Sequence, residues 1–184
     1  MEVEAAKIPG LLVIDPVVHG DARGFFLETY SRDRYANAGI DLEFVQDNLS
    51  SSRRGILRGL HFQHPRGQGK LCSVIEGEVF DVAVDVRIGS PMFGQWVGVT
   101  LSSENKRQLY IPPGCAHGFC VMSERALFSY KCTDFYSAGN ELGVAWNDED
   151  IGVEWPIDAP VLSDKDRANP KLQDIPPDRL PRYA

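Results

Sequence analysis

Two histidines stand in the segments best suited to chemistry: His61 within Leu57-Arg58-Gly59-Leu60-His61-Phe62-Gln63, and His117 at the end of Ile111-Pro112-Pro113-Gly114-Cys115-Ala116-His117. An imidazole titrates near neutrality, so each can serve as a general base or as a metal ligand. A metal needs three or four donors converging on one point. His64 lies three residues beyond His61, which in an undistorted strand sends it to the opposite face, so a complete ligand set is lacking and no metal is expected. His117 can also be read as a histidine satisfied by a hydrogen bond in the wall of a sheet. Tyr130 alternates with Phe128 and Cys132 on an apolar face, which turns its hydroxyl toward an interior; a hydrogen-bonded core tyrosine fits that pattern equally well. Neither G-x-G-x-x-G nor G-x-x-x-x-G-K occurs, and Gly67-Gln68-Gly69-Lys70 is only superficially like a phosphate loop, so no nicotinamide or ATP cofactor is expected.

The elements that must position these residues are strands. Phe80, Val82, Val84 and Val86 alternate with Asp81, Ala83, Asp85 and Arg87, which predicts a strand with one apolar and one mostly polar face. Similar short runs recur at 11–14, 24–30, 44–50, 56–63, 70–75, 95–101, 109–111 and 126–133, separated by turn signals such as Glu76-Gly77, Gly89-Ser90-Pro91 and Pro112-Pro113-Gly114. Many evenly spaced strands predict a sandwich or barrel. Helical pattern is scarce: Ser31 can cap a short helix ending near Gly39, and Ser163 with Asp166 three residues later resembles a capping box. The proline-rich tail after Asn169 is expected to run extended over the surface.

A chain of 184 residues, 43% hydrophobic and 24% charged, fits one globular domain spanning 1–184. Its net charge of −7, with the basic residues scattered, argues against a nucleic-acid surface, since phosphate backbones call for a basic stripe. The first twenty residues lack the pattern of a secretion signal, and no uncharged apolar run approaches the length of a membrane span, so a soluble, cytoplasmic protein is expected. Cys72, Cys115, Cys120 and Cys132 lack CxxC spacing and read as buried free thiols.

The P-x-G-x-x-H pattern ending at His117 resembles the second motif of the cupins, small jelly-roll barrels, although Gln63 stands where their first motif has a second histidine ligand. A wider resemblance runs through 21–28, Gln46-Asp47-Asn48, 57–61, Gly69-Lys70-Leu71, 77–85, Ala116-His117-Gly118-Phe119, 130–134 and 163–166. In this order these stretches are similar to the dTDP-4-dehydrorhamnose 3,5-epimerase family. The resemblance implies an all-β, cupin-like jelly roll with short peripheral helices, acting without metal or cofactor on a dTDP-linked 4-keto-6-deoxyhexose. It implies that His61 is the base oriented by Asp166, that Tyr130 is the acid on the opposite sugar face, and that Lys70 lies near the ketone oxygen. Arg23, Glu28, Gln46, Asn48, Arg58, His117, Glu141 and Lys165 match substrate-binding positions, and Tyr136 matches the residue that stacks on thymine. It further implies a homodimer in which the strand carrying Arg23 and Glu28 completes the partner's site.

The residue types suit that chemistry. Removing a proton beside a ketone forms an enolate, which requires a base of near-neutral pKa and a cationic or protic group at the oxygen. Inversion also requires the proton to return from the other face, so a second group is needed. Arg23 and Arg58 can pair with diphosphate oxygens, or can equally be solvated surface residues. Arg58 and His61 differ by an odd number, so sharing a face requires a break in the pleat, which Gly59 permits as a bulge. Three readings stay open beside the double epimerase: a C3-only epimerase, a metal-dependent cupin using His61, His64 and His117, and a sugar-binding barrel without activity.

Overall fold

The strand read at 80–86 is an inner strand of one of two facing antiparallel sheets. A computed structural model describes residues 1–183. Its strands are β1 (Glu2–Ala5), β2 (Leu12–Asp15), β3 (Val18–Asp21), β4 (Gly24–Leu27), β5 (Gln46–Arg53), β6 (Leu57–Gln63), β7 (Lys70–Glu76), β8 (Glu78–Asp85), β9 (Trp96–Ser102), β10 (Gln108–Ile111), β11 (Cys115–Val121), β12 (Arg125–Cys132) and β13 (Glu141–Gly143). Helices α1 (Arg32–Asn37) and α2 (Asp164–Arg167) are short. One sheet has the order β1-β2-β10-β7-β12-β5, the other β13-β6-β11-β8-β9, and β3-β4 form a separate hairpin. This is a cupin-like jelly roll, mostly β as expected.

The core lies between the sheets, where Cys72, Val74, Leu109 and Phe128 of one meet Val79, Ala83, Leu101 and Phe119 of the other. Each outer face is also covered. Tyr35 of α1 packs with Ile14, Leu71 and Tyr110 over the larger sheet, and its hydroxyl donates to Gln108 Oε1 at 2.6 Å. The C-terminal segment packs Leu172, Ile175 and Leu180 over Val82, Val84 and Val86 of the smaller one. That tail folds into two 3-10 turns, Leu172–Asp174 and Pro177–Arg179. No helix is long and apolar enough to cross a membrane among the described residues.

The two-faced pattern of β8 is therefore inverted relative to a surface strand. Its apolar face lies beneath the C-terminal segment, while the polar one points between the sheets, with Asp81 and Asp85 fully buried. Each carboxylate is matched to a partner, Asp85 to the Arg87 guanidinium at 2.7 Å and Asp81 to His117. The periodicity does not reveal β11 as a strand, because all seven of its residues are buried and the sequence has no alternation to read.

The parity conflict between Arg58 and His61 is resolved at Gly59. His117 is the register partner of His61 and Phe119 that of Arg58, so Gly118 of β11 faces two residues of β6, which is a bulge. Gly59 has φ of +128°, and a Cβ there would fall 2.5 Å from Gly118 Cα and 2.8 Å from the His117 oxygen. Both obstacles are backbone. Gly59→Ala is expected to destabilise the protein by roughly 3 kcal/mol, lowering Tm by roughly 10 °C in thermal unfolding. An unchanged Tm would show that the bulge relaxes freely.

Candidate active site

Residues of β6, β7, β11 and β12, with the short helix α2, surround a cavity of about 430 Å³. Arg58, His61, Lys70, His117, Tyr130 and Asp166 all line it. An adjoining recess shares His61, Lys70 and Tyr130 and adds Gln46, Asn48 and Glu141.

His61 Nε2 is hydrogen-bonded to Asp166 Oδ1, although the two are 105 residues apart. The join depends on α2, where the Ser163 hydroxyl accepts the Asp166 amide at 3.1 Å and so starts the helix that aims the carboxylate. Burial opposes charge on Asp166, but the bonds from His61 and from the Ser163 and Gly59 groups outweigh it and hold the carboxyl below its usual range. An ionised Asp166 fixes a proton on Nε2 and leaves Nδ1 of His61 with the lone pair.

Tyr130 enters from β12 in the opposite sheet, opposite Cys72 of β7 and Asn48 of β5. Burial pushes its hydroxyl up to about 12, so it retains its proton at neutral pH. The Lys70 ammonium lies 6.0 Å from its ring centroid. A lone-pair base and a proton-bearing hydroxyl thus face one cavity from different sheets, and the cation of Lys70 lines the same cavity.

At the mouth, polar side chains form a chain. Tyr136, 54% exposed, donates its hydroxyl to Glu141 Oε2 at 2.7 Å, and Glu141 also pairs with Lys165. The Tyr136 amide donates to Gln46 Oε1 at 2.9 Å, and the Gln46 amide to Asn48 Oδ1 at 3.0 Å. Arg58 donates through Nε to the buried Ser52 hydroxyl at 3.1 Å.

Two of the expected site residues are elsewhere in this chain. Arg23 sits on the β3-β4 hairpin with its side chain 90% exposed and paired to Asp21, and Glu28 pairs with Arg34 at 3.4 Å. Neither reaches the cavity. The same hairpin exposes Phe25 and Phe26.

Sequence reasoning missed Asp81, Cys72 and Ser52, all three buried beside a site residue. The one available signal was the polar face of β8, which was legible as a pattern but carried no indication that it points inward. The histidine trio of a metal-dependent cupin does not assemble, since His64 lies beyond the end of β6 and outside the cavity. Among the described residues the cluster with metal-like spacing is Cys72, Asp81 and His117, with donor atoms within 4.8 Å of one another. Its chemistry suits hydrogen bonding better: burial, and then Asp81, raise the Cys72 thiol well above its usual range, and a protonated thiol is a poor ligand.

Known proteins resemble the chain over its whole length. It is 54% identical over 176 residues to a dTDP-4-dehydrorhamnose 3,5-epimerase of Shigella flexneri, covering 95% of this chain and 97% of the relative. The corresponding enzyme of Pseudomonas aeruginosa is 52% identical over the same shares. Among solved structures, dTDP-6-deoxy-D-glucose-3,5-epimerase from Legionella pneumophila, in complex with dTDP-4-keto-L-rhamnose, superposes with a TM-score of 0.97 at 51% identity, covering 100% of this chain and 98% of that one. A family model for dTDP-4-dehydrorhamnose 3,5-epimerase matches residues 5–174, and with these likenesses it establishes that the chain belongs to that family of epimerases.

Proposed function

We propose that the enzyme inverts C3 and C5 of dTDP-4-keto-6-deoxy-D-glucose to give dTDP-4-keto-L-rhamnose. The observation that carries the reading is the His61–Asp166 pair facing a proton-bearing Tyr130 across a cavity that also holds Lys70. Nδ1 of His61 takes the proton from the carbon beside the ketone, the C–H electron pair becomes the enolate, and the negative charge gathers on the ketone oxygen near Lys70. The imidazolium is stabilised by Asp166. Tyr130 returns a proton to the same carbon from the opposite face, and the resulting phenolate recovers its proton from solvent as His61 releases its own.

The remaining polar groups sort by charge. Arg58, supported by Ser52, suits a diphosphate oxygen, and exposed Tyr136 suits stacking on the thymine ring, with Gln46, Asn48, His117, Glu141 and Lys165 holding the rest of the nucleotide sugar. Proton NMR of the keto sugar incubated with the enzyme in heavy water tests the reading. Deuterium at both C3 and C5 with a rhamno-configured product is expected. Label at C3 alone would make it a C3 epimerase, and no label at either carbon would overturn the reading.

Arg23 and Glu28 are proposed to act in the partner's site, because they lie on or just after a hairpin that is outside their own cavity and exposes Phe25 and Phe26. A homodimer with exchanged hairpins covers those rings. The protein is expected to sediment as a dimer at micromolar concentration, and deletion through Glu28 to impair both association and turnover. A fully active monomer would contradict the exchange.

A further inference from the structure

The cavity holds a second imidazole backed by a carboxylate. His61 and His117 are register partners on adjacent strands, and each has Nε2 committed to a buried aspartate, His61 to Asp166 and His117 to Asp81. The second pair is the more deeply buried, with His117 only 6% exposed and Asp81 fully enclosed. Asp81 Oδ1 lies 2.7 Å from His117 Nε2, while Oδ2 has no hydrogen-bond partner. A carboxylate kept only for stability is normally satisfied at both oxygens, so an enclosed one directed at a cavity residue is explained better by what it does to that residue.

Resting on the epimerase reading, we infer that Asp81 is a positioning residue that locks His117 as the Nε2–H tautomer, so that Nδ1 accepts a hydrogen bond from a hydroxyl of the bound sugar. With Nε2 engaged, Nδ1 is the ring nitrogen left for a ligand. The competing partner of Nε2 is the Cys72 sulfur at 3.8 Å, whose S–H would have to donate to a lone pair and so would demand the other tautomer. A thiol at that distance is a weak donor, whereas a carboxylate at 2.7 Å makes a charge-assisted bond of about twice the ordinary strength. The tautomer therefore follows Asp81.

The groups facing His117 also keep it neutral. They are His61 from β6, Lys70 and Cys72 from β7, Asp81 from β8 and Tyr130 from β12. Burial lowers its pKa most strongly; Asp81 opposes this, and Lys70 and His61 add to the lowering. A neutral Nε2–H imidazole cannot donate to the ketone oxygen from Nδ1. That leaves Lys70 as the cation for the enolate and makes His117 a reader of sugar configuration, rejecting ligands that offer no hydroxyl at that point.

The ring 15N shifts of His117, assigned by their loss in His117→Asn, test the tautomer directly at neutral pH. A protonated Nε2 and a bare Nδ1 are expected in the unliganded protein. Asp81→Ala should bring in the Nδ1–H form and raise KM for the keto sugar about tenfold, more than it lowers kcat. Asp81→Asn, which can still accept from Nε2–H, should restore much of both. A wild-type ring protonated at Nδ1, or an Asp81→Ala protein with wild-type tautomer and KM, would overturn the inference. The nitrogen shifts need no turnover, so failure of the epimerase reading would show in the heavy-water experiment and leave the tautomer result standing.

Discussion

His61→Asn is expected to remove both inversion and solvent exchange at the carbons beside the ketone, lowering kcat by at least about 10³-fold. Asparagine is smaller but polar and can still hydrogen-bond Asp166, so the cavity wall is kept while the base assigned to proton removal is lost. Asp166→Asn is expected to cost less, roughly 10²-fold, because the imidazole remains but loses the charge that orients it and stabilises its protonated form. Deuterium exchange measured by NMR in single turnovers separates these outcomes from slow product release. Wild-type exchange in His61→Asn would move the base to another residue and would remove the assigned role of Asp166 with it.

Tyr130→Phe is expected to separate proton removal from proton return. His61 can still form the enolate and give deuterium back from its own face, so label enters the starting sugar while the inverted product forms at least about 10²-fold more slowly. The ring packs against Phe128 and His117, with centroids 5.9 and 6.4 Å away, and phenylalanine preserves those contacts, so the loss is confined to the hydroxyl. That hydroxyl, held protonated by burial with a pKa near 12, is suited to donating to a carbanion and not to removing a proton. The quantity to compare is the ratio of exchange to inversion, since a hydroxyl that also polarises the site would slow both rates. A ratio unchanged from wild type would make Tyr130 a binding or core residue, with Lys70 or an ordered water as the remaining donors.

The sequence by itself determined the class of fold, because period-two alternation and closely spaced turn signals are local properties that a strand imposes on its own residues. It also determined which side chains had suitable chemistry, and the Ser163-to-Asp166 spacing announced the helix start that the structure contains. Strand β11 escaped detection for the same local reason: buried on both faces, it offers no alternation. What only the tertiary structure decided was which face of each element meets the cavity and who stands behind each histidine. His61 and Asp166 are 105 residues apart and His117 and Asp81 are 36 apart, distances at which no spacing rule operates. The seating of α2 beside β6 makes the first pair and the pairing of β8 with β11 the second, while the bulge at Gly59 brings Arg58 and His61 to one side despite their parity. The polar row of β8 is legible in the sequence only as a polar face without direction, whereas the C-terminal segment covers the opposite side and leaves Asp81 turned inward. Burial is a property of what packs against a strand, and the residues that cover β8 come from a distant part of the chain, so the strand's own pattern could not report it.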